Sequence, residues 1–233
     1  MQAAAPKQTG LHDESPALLE RGSAPGLRLV PAAPGHQRFV VEAFIRRRFA
    51  EQHAARVTRF MPCLLGLHAA DGSLHGAVGL RHAQEGPLFL ERYLDHPIEE
   101  AIGLRCDGAA ARSEIVEVGN LAADGQGSAR RLIVSLAEKL SGRGLRWVAF
   151  TGTPALLNSF RRLGLSLHRL GPADPARVGP EISDWGRYYD CRPQVMVGRI
   201  PEGYRQLARQ GVVRDASATG RFSQWVPAHA ACP

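Results

Sequence analysis

Along this chain the apolar positions change period, and each change marks an element. Leu27-Arg28-Leu29-Val30 reads as a short strand, and Pro34-Gly35 then turns the chain into a helix over 39–53. The expected apolar face of that helix carries Phe39, Val40, Ala43 and Phe44, and Arg46-Arg47-Arg48 lies toward its C-terminal end, where cations suit the helix dipole. Two apolar segments, 61–68 and 75–82, flank Ala70-Asp71-Gly72-Ser73, whose residue types favour a hairpin turn and an antiparallel pair. Residues 88–94 fit strand or helix equally. Asp95 stands where it would cap a helix over 97–104, with Pro97 in the first turn.

The second half alternates more regularly. A strand over 114–122 leads to a helix over 128–141, with Leu132, Ile133, Leu136, Ala137 and Leu140 on one face and Gly142 and Gly144 marking its end. Residues 146–151 have the continuous apolar character of a buried strand, Pro154 opens a short helix ending near Leu163-Gly164, and 165–170 and 194–200 are further strands. The order βα, ββ, βαβαβ, β predicts an α/β protein with a mixed, mostly antiparallel central sheet and helices on both faces. Pro and Gly punctuation sets 1–26 apart as a flexible tail; 27–203 is expected to be one domain and 204–233 a short helix and tail.

With 233 residues, 44% of them hydrophobic, the chain has apolar material for one substantial core. Its formal net charge is +7, and because Lys7 and Lys139 are the only lysines, arginine carries nearly all of the positive charge. Arg130-Arg131 and Arg161-Arg162 suit phosphate groups or an acidic partner protein, with a plain solvated surface as the alternative. No nucleic-acid-binding signature accompanies the charge, so nucleic acid is not an expected partner. Cys63, Cys106, Cys191 and Cys232 form no CxxC pair, and the nine histidines lack metal-ligand spacing, so neither a metal nor a disulfide framework is expected. Apolar runs of signal-peptide or membrane-span length are missing, and the expected location is the cytoplasm.

Candidate chemistry concentrates at 115–130. A β-rich run with one carboxylate, Glu117, breaks at Asp124-Gly125-Gln126-Gly127, and a helix follows at once. Amides in a glycine turn and in a helix's first turn are donors without partners, and the helix dipole adds partial positive charge. Gly125, Gln126, Gly127, Ser128, Ala129 and Arg130 therefore form a candidate phosphate cradle. The turn lacks the lysine of a Walker A loop and the third glycine and acid of a dinucleotide fingerprint, which argues against ATP hydrolysis and nicotinamide chemistry. A plain βα loop capped by Ser128 is the alternative.

An antiparallel pair, this turn, a strand and a short helix containing Asn158 follow one another as in the GCN5-related acetyltransferase fold, which the chain resembles. More specifically, it resembles the thermostable hemolysin family, which looks related to autoinducer synthases of the same fold. The residues that carry the resemblance are Arg46-Arg47-Arg48-Phe49, Phe60-Met61-Pro62-Cys63-Leu64-Leu65, Gly79-Leu80-Arg81, 88–95 with Pro97-Ile98-Glu99, Glu117-Val118-Gly119-Asn120-Leu121-Ala122, Phe150-Thr151-Gly152-Thr153 and Trp185-Gly186-Arg187-Tyr188-Tyr189. Where autoinducer synthases read roughly Glu-x-Ser-Arg, this chain keeps the glutamate and has Asn120 in place of the arginine. That argues against homoserine-lactone chemistry and leaves acyl transfer to another amine open.

The resemblance implies an N-acyltransferase that moves a fatty acyl group from the phosphopantetheine thioester of acyl-CoA or acyl carrier protein to a small, amino-acid-like amine. Glu117 is the candidate base, since burial raises a carboxylate's pKa; a structural pairing with an arginine such as Arg81 is its alternative. Amides of Leu121, Ala122 and Ala123 are candidates for the thioester oxyanion, and Asn158 for pantetheine. Asn120 and Tyr188 complete the candidate catalytic set, and Arg81, Glu91, Asp95, Thr151 and Thr153 the acceptor-binding set. Each has a structural alternative: a sheet-edge hydrogen bond for Asn120, packing for Tyr188, and capping or ion pairing for Glu91, Asp95 and Thr153. The family name also suggests a cytolytic, membrane-active protein, and a non-catalytic acyl-thioester-binding module is a third reading.

Overall fold

Among the described residues a sheet of seven strands organises the fold, and it is built by antiparallel pairing interrupted once by a parallel crossover. The computed structural model describes residues 26–213 apart from Gly142; most of the expected N-terminal tail, the residues from 214 onward including Cys232, and Gly142 as a helix end lie outside the described residues. The strands are β1 (Arg28–Pro31), β2 (Cys63–His68), β3 (Leu74–His82), β4 (Ile115–Ala123), β5 (Trp147–Gly152), β6 (His168–Pro172) and β7 (Gln194–Arg199). They lie in the order β1-β2-β3-β4-β5-β7-β6, and β4 with β5 is the parallel pair. The mixed, mostly antiparallel sheet is the expected one.

Among the described residues five α-helices accompany it: α1 (His36–His53), α2 (Ile98–Arg105), α3 (Gln126–Leu140), α4 (Pro154–Arg162) and α5 (Ile200–Arg209). Side chains alternate across the strands, so Leu65, Leu67, Val78, Leu80, Val116 and Val118 pack with Leu132 and Leu136 of α3 on one face. On the other face Leu64 and Ala77 meet Val41, Phe44 and Ile45 of α1, while Ile115, Ala149 and Val197 meet Ile98 and Ile102 of α2. Burying each such side chain contributes roughly 1.5–3 kcal/mol.

The structure corrects the sequence reading in several places. Helix α1 buries Val41, Phe44 and Ile45, so of the expected face only Phe44 turns inward, while Phe39, 63% exposed, Val40 and Ala43 point outward. Residues 39–41 and 43–45 are all apolar, and two adjacent stripes compete; contact with Leu64 and Ala77 decides between them. Residues 89–93 form a 3-10 helix, and Asp95 does not cap α2, whose N-cap is Pro97 without a side-chain bond. Helix α3 starts at Gln126, two residues early, so Ser128 lies inside its first turn rather than capping it. Strand β6 begins three residues later than expected, and 173–193 is a run of 3-10 turns that local periodicity did not reveal.

Candidate functional site

The site begins with an irregularity in β4. Gly119 pairs with Gly79 and Ala122 with Ala77, so Asn120 and Leu121 both stand opposite Val78, and Asn120 takes a left-handed φ of 50°. This bulge bends β4 away from β5. Their parallel pairing ends at Val118 with Phe150, although β5 continues along β7 to Gly152. The sheet thus opens into a cleft on the carboxyl side of β4. At the same end α3 begins after an extended Gly125 with no side-chain cap, so the amides of Gln126, Gly127 and Ser128 lack an intrahelical acceptor, and the first such bond is Ala129 N to Gly125 O at 2.9 Å.

The cleft is continuous with a cavity of about 1180 Å³ that passes between the two faces of the sheet. On the α1 side it is lined by Arg81, Glu117, Phe89, Tyr188, Trp185 and Thr151; toward α3 and α4 it is apolar, with Ile133, Leu136, Leu140, Val148, Phe150 and Phe160. Glycine makes the narrow part possible. A Cβ on Gly79 would lie 2.5 Å from Met61 Cβ, and one on Gly119 would strike the end of the same Met61 side chain.

Glu117 lies on the cavity wall and is 3% exposed. Its carboxylate accepts from the amides of Phe89 at 3.0 Å and Leu90 at 2.9 Å, the opening of the 89–93 turn. Burial pushes its pKa above the usual carboxylate range, and the two amides offset only part of that. The expected alternative partner, Arg81, is its cross-strand neighbour but makes no ion pair with it; Arg81 donates instead to Pro87 O at 3.4 Å.

Asn120 accepts from the Met61 amide at 2.8 Å and donates to Arg59 O at 3.4 Å, fastening the loop that leads into β2 to the bulge. Tyr188 is buried, and its hydroxyl donates to Thr151 O at 3.5 Å; burial raises its pKa. It packs between His53 and Trp185, each with ring centroids 5.3 Å away, in an aromatic wall that also holds Phe49 and Phe89. Tyr93, which also lines the cavity, and Tyr189 share a 2.6 Å hydroxyl contact beside it.

Other sequence candidates fall in different places. Leu121, Ala123, Gly125, Gln126, Gly127, Ala129, Arg130, Thr153 and Asn158 line the cavity; Ala122 and Ser128 do not, Ala122 being packed under α1. Thr153 caps α4 by accepting from Leu156 N at 3.4 Å, and Asn158 accepts from Arg161 at 2.9 Å. Glu91 touches the cavity, yet its oxygens are taken by Arg112 at 2.6 Å and the amides of Leu88 and Ile98 at 2.7 and 2.8 Å. Burial pushes its pKa up, but Arg112 and the amides outweigh it, and the net shift is downward. Asp95 lies outside the cavity and pairs with Arg177. Arg112, Trp185, Phe89 and the apolar set on α3 were missed. Arg112 carries no local signal, whereas the Trp185 block was already conspicuous in the sequence. Among the described residues no cluster has the composition of a metal site.

The family model for thermostable hemolysin matches residues 32–204. Among solved structures the chain is similar to FeeM, an N-acyl amino acid synthase from uncultured soil microbes, with a TM-score of 0.55 and 14% identity over 82% of this chain and 99% of that one. It is also similar to BjaI, a CoA-dependent acyl-homoserine lactone synthase, solved with SAM and isopentyl-CoA: TM-score 0.52, 13% identity, 81% of this chain and 90% of that one. TofI in an apo form gives a TM-score of 0.51 with 18% identity, over 75% and 91%. A search of curated proteins found no match. These likenesses establish the fold, the GNAT-like arrangement expected from the order of elements.

Proposed function

Because this chain belongs to the thermostable hemolysin family, and its buried carboxylate opens onto a cavity that begins at a helix N-terminus, we propose that it is an N-acyltransferase. The donor is a fatty acyl thioester of CoA or of acyl carrier protein, and the acceptor is a small, amino-acid-like amine. The observation that carries this reading is the placement of Glu117 and the first turn of α3 on one cavity with an apolar extension.

Each part then has a role. The amides of Gly125, Gln126 and Gly127, assisted by Arg130, hold the pantetheine phosphate, since a helix N-terminus favours an anion; the Ala129 amide is spent on Gly125 O at 2.9 Å. Asn158 and Thr153 line the pantetheine arm. Amides of Leu121 and Ala123, left without β5 partners by the splay, stabilise the oxyanion. The fatty chain enters the apolar part lined by Leu136, Leu140 and Phe160. Arginines near the opening suit an acidic carrier protein.

Glu117 takes the ammonium proton, so that the amine nitrogen attacks the thioester carbon; the C–N bond forms, the C–S bond breaks, and the thiol leaves with a proton. Arg81, on the same wall and without a carboxylate partner among the described residues, receives the acceptor's carboxylate, and Asn120 and Tyr188 shape the space around it. Thr151 adds a hydrogen-bonding edge. Glu91 acts through the 88–91 segment rather than on the substrate.

The test is release of free thiol from long-chain acyl-CoA, or from acyl carrier protein, in the presence of pooled amino acids and amines. Amine-dependent thiol release that is lost in Glu117→Gln supports the reading. Donor binding without turnover under all acceptors would make the chain a binding module and sink the enzyme.

A further inference from the structure

Two aspartates that precede turns in this protein fold back on the chain. Asp71 accepts from the amide of Ser73 at 2.9 Å, and Asp174 accepts from the amide of Ala176 at 2.9 Å, the local bond aspartate commonly makes with the residue two places on. Asp124 stands two residues before Gln126, the first residue of α3, where a free amide is waiting. Its carboxylate goes elsewhere. It meets His75 Nδ1 at 2.7 Å.

His75 is itself held in place. Its Nε2 lies 2.9 Å from Ser73 Oγ, whose hydroxyl donates to Asp71 at 2.6 Å, and its carbonyl accepts from the Asp124 amide at 3.1 Å. Gly125, Gln126 and Gly127 line the cavity, whereas His75 and Asp124 do not, so the imidazole draws the carboxylate to the side away from it.

We infer that His75 is a positioning residue that keeps the Asp124 carboxylate off the opening amides of α3, leaving them available to an anionic donor group. A carboxylate and a phosphate compete for the same amides and the same end of the dipole. Without His75, Asp124 makes the bond that Asp71 and Asp174 already make, and the helix N-terminus closes on itself. This inference rests on the donor site proposed above.

The experiment measures coenzyme A binding by calorimetry to the full chain as wild type, His75→Ala, Asp124→Ala and the double variant. His75→Ala is expected to bind about tenfold more weakly, the scale of one capping carboxylate against a ligand anion. Asp124→Ala binds at least as well as wild type, and adding it to His75→Ala restores affinity, which a merely damaged fold would not do. Equal binding by wild type and His75→Ala, or a loss that Asp124→Ala leaves uncorrected, overturns the clamp. A wild type that takes up no coenzyme A removes the donor site itself, and the clamp with it.

Discussion

Arg81 and Glu117 face each other across the β3–β4 ladder and share one cavity wall, yet they do not form an ion pair. Glu117 is held by the Phe89 and Leu90 amides, and among the described residues no carboxylate pairs with Arg81. Two opposite charges left separate on a cavity wall offer complementary ends to a zwitterion. A buried glutamate serving only the fold would be expected to spend that arginine.

The raised pKa of Glu117 sets a pH dependence. The carboxyl keeps its proton where an ordinary glutamate has lost it, so the basic form, and with it kcat/KM, rises with pH through a limb displaced upward from the usual carboxylate range. Glu117→Gln is expected to abolish that limb and lower the rate about a hundredfold or more. The same shift means the folded state holds its proton longer than the unfolded chain. The stability due to Glu117 therefore falls as pH rises from the unfolded to the folded pKa. Rate profiles and denaturation midpoints across pH check both signs.

Arg112 is expected to act on the site from a distance. It joins Glu91 at 2.6 Å and Glu99 at 2.8 Å and donates to the carbonyls of Ala83 and Gly86, pinning the segment whose amides hold Glu117. Replacing it with Met leaves two half-buried carboxylates unpaired, at a cost of about 2–3 kcal/mol after allowance for solvent. Urea denaturation reads the loss; an unchanged midpoint would mean that the cluster is idle.

Two facing glycines should differ in tolerance. Alanine at 79 meets Met61 Cβ, close to its backbone, while alanine at 119 meets the flexible end of that side chain. Gly79→Ala is expected to destabilise by about 1–3 kcal/mol and Gly119→Ala by less, the order in thermal melts being the check.

Gly186 has a φ of 51°, and a Cβ there would strike the carbonyls of His53 and Ala54 at the end of α1. Gly186→Ala should therefore displace Trp185 and Tyr188 from the cavity wall and cost about 3 kcal/mol or more. Trp fluorescence reports the displacement directly, and a wild-type spectrum and melting point would refute it.

Chain length should follow the apolar end of the cavity. Leu136→Trp is expected to shift the preferred acyl donor toward shorter chains, with the rate on the longest falling most. A uniform fall across lengths would place the acyl group elsewhere.

Sequence alone determined most of the elements and the junction at 115–130, because apolar period, proline, glycine and turn residues are local signals. The β4–α3 break, the hairpin before it and Thr153 as a cap residue were all legible in that way. Tertiary structure decided what the side chains touch. In α1 two apolar stripes compete, and only the neighbouring strands select Val41, Phe44 and Ile45. Glu117 was legible as a carboxylate in an apolar strand, but its partners come from 27 and 28 residues away through a 3-10 turn no period predicts. Asp95 and Glu91 looked alike in sequence, and long-range packing sent one to the surface with Arg177 and the other to Arg112. Period records what one element buries; which charge meets which partner depends on the meeting of elements distant along the chain.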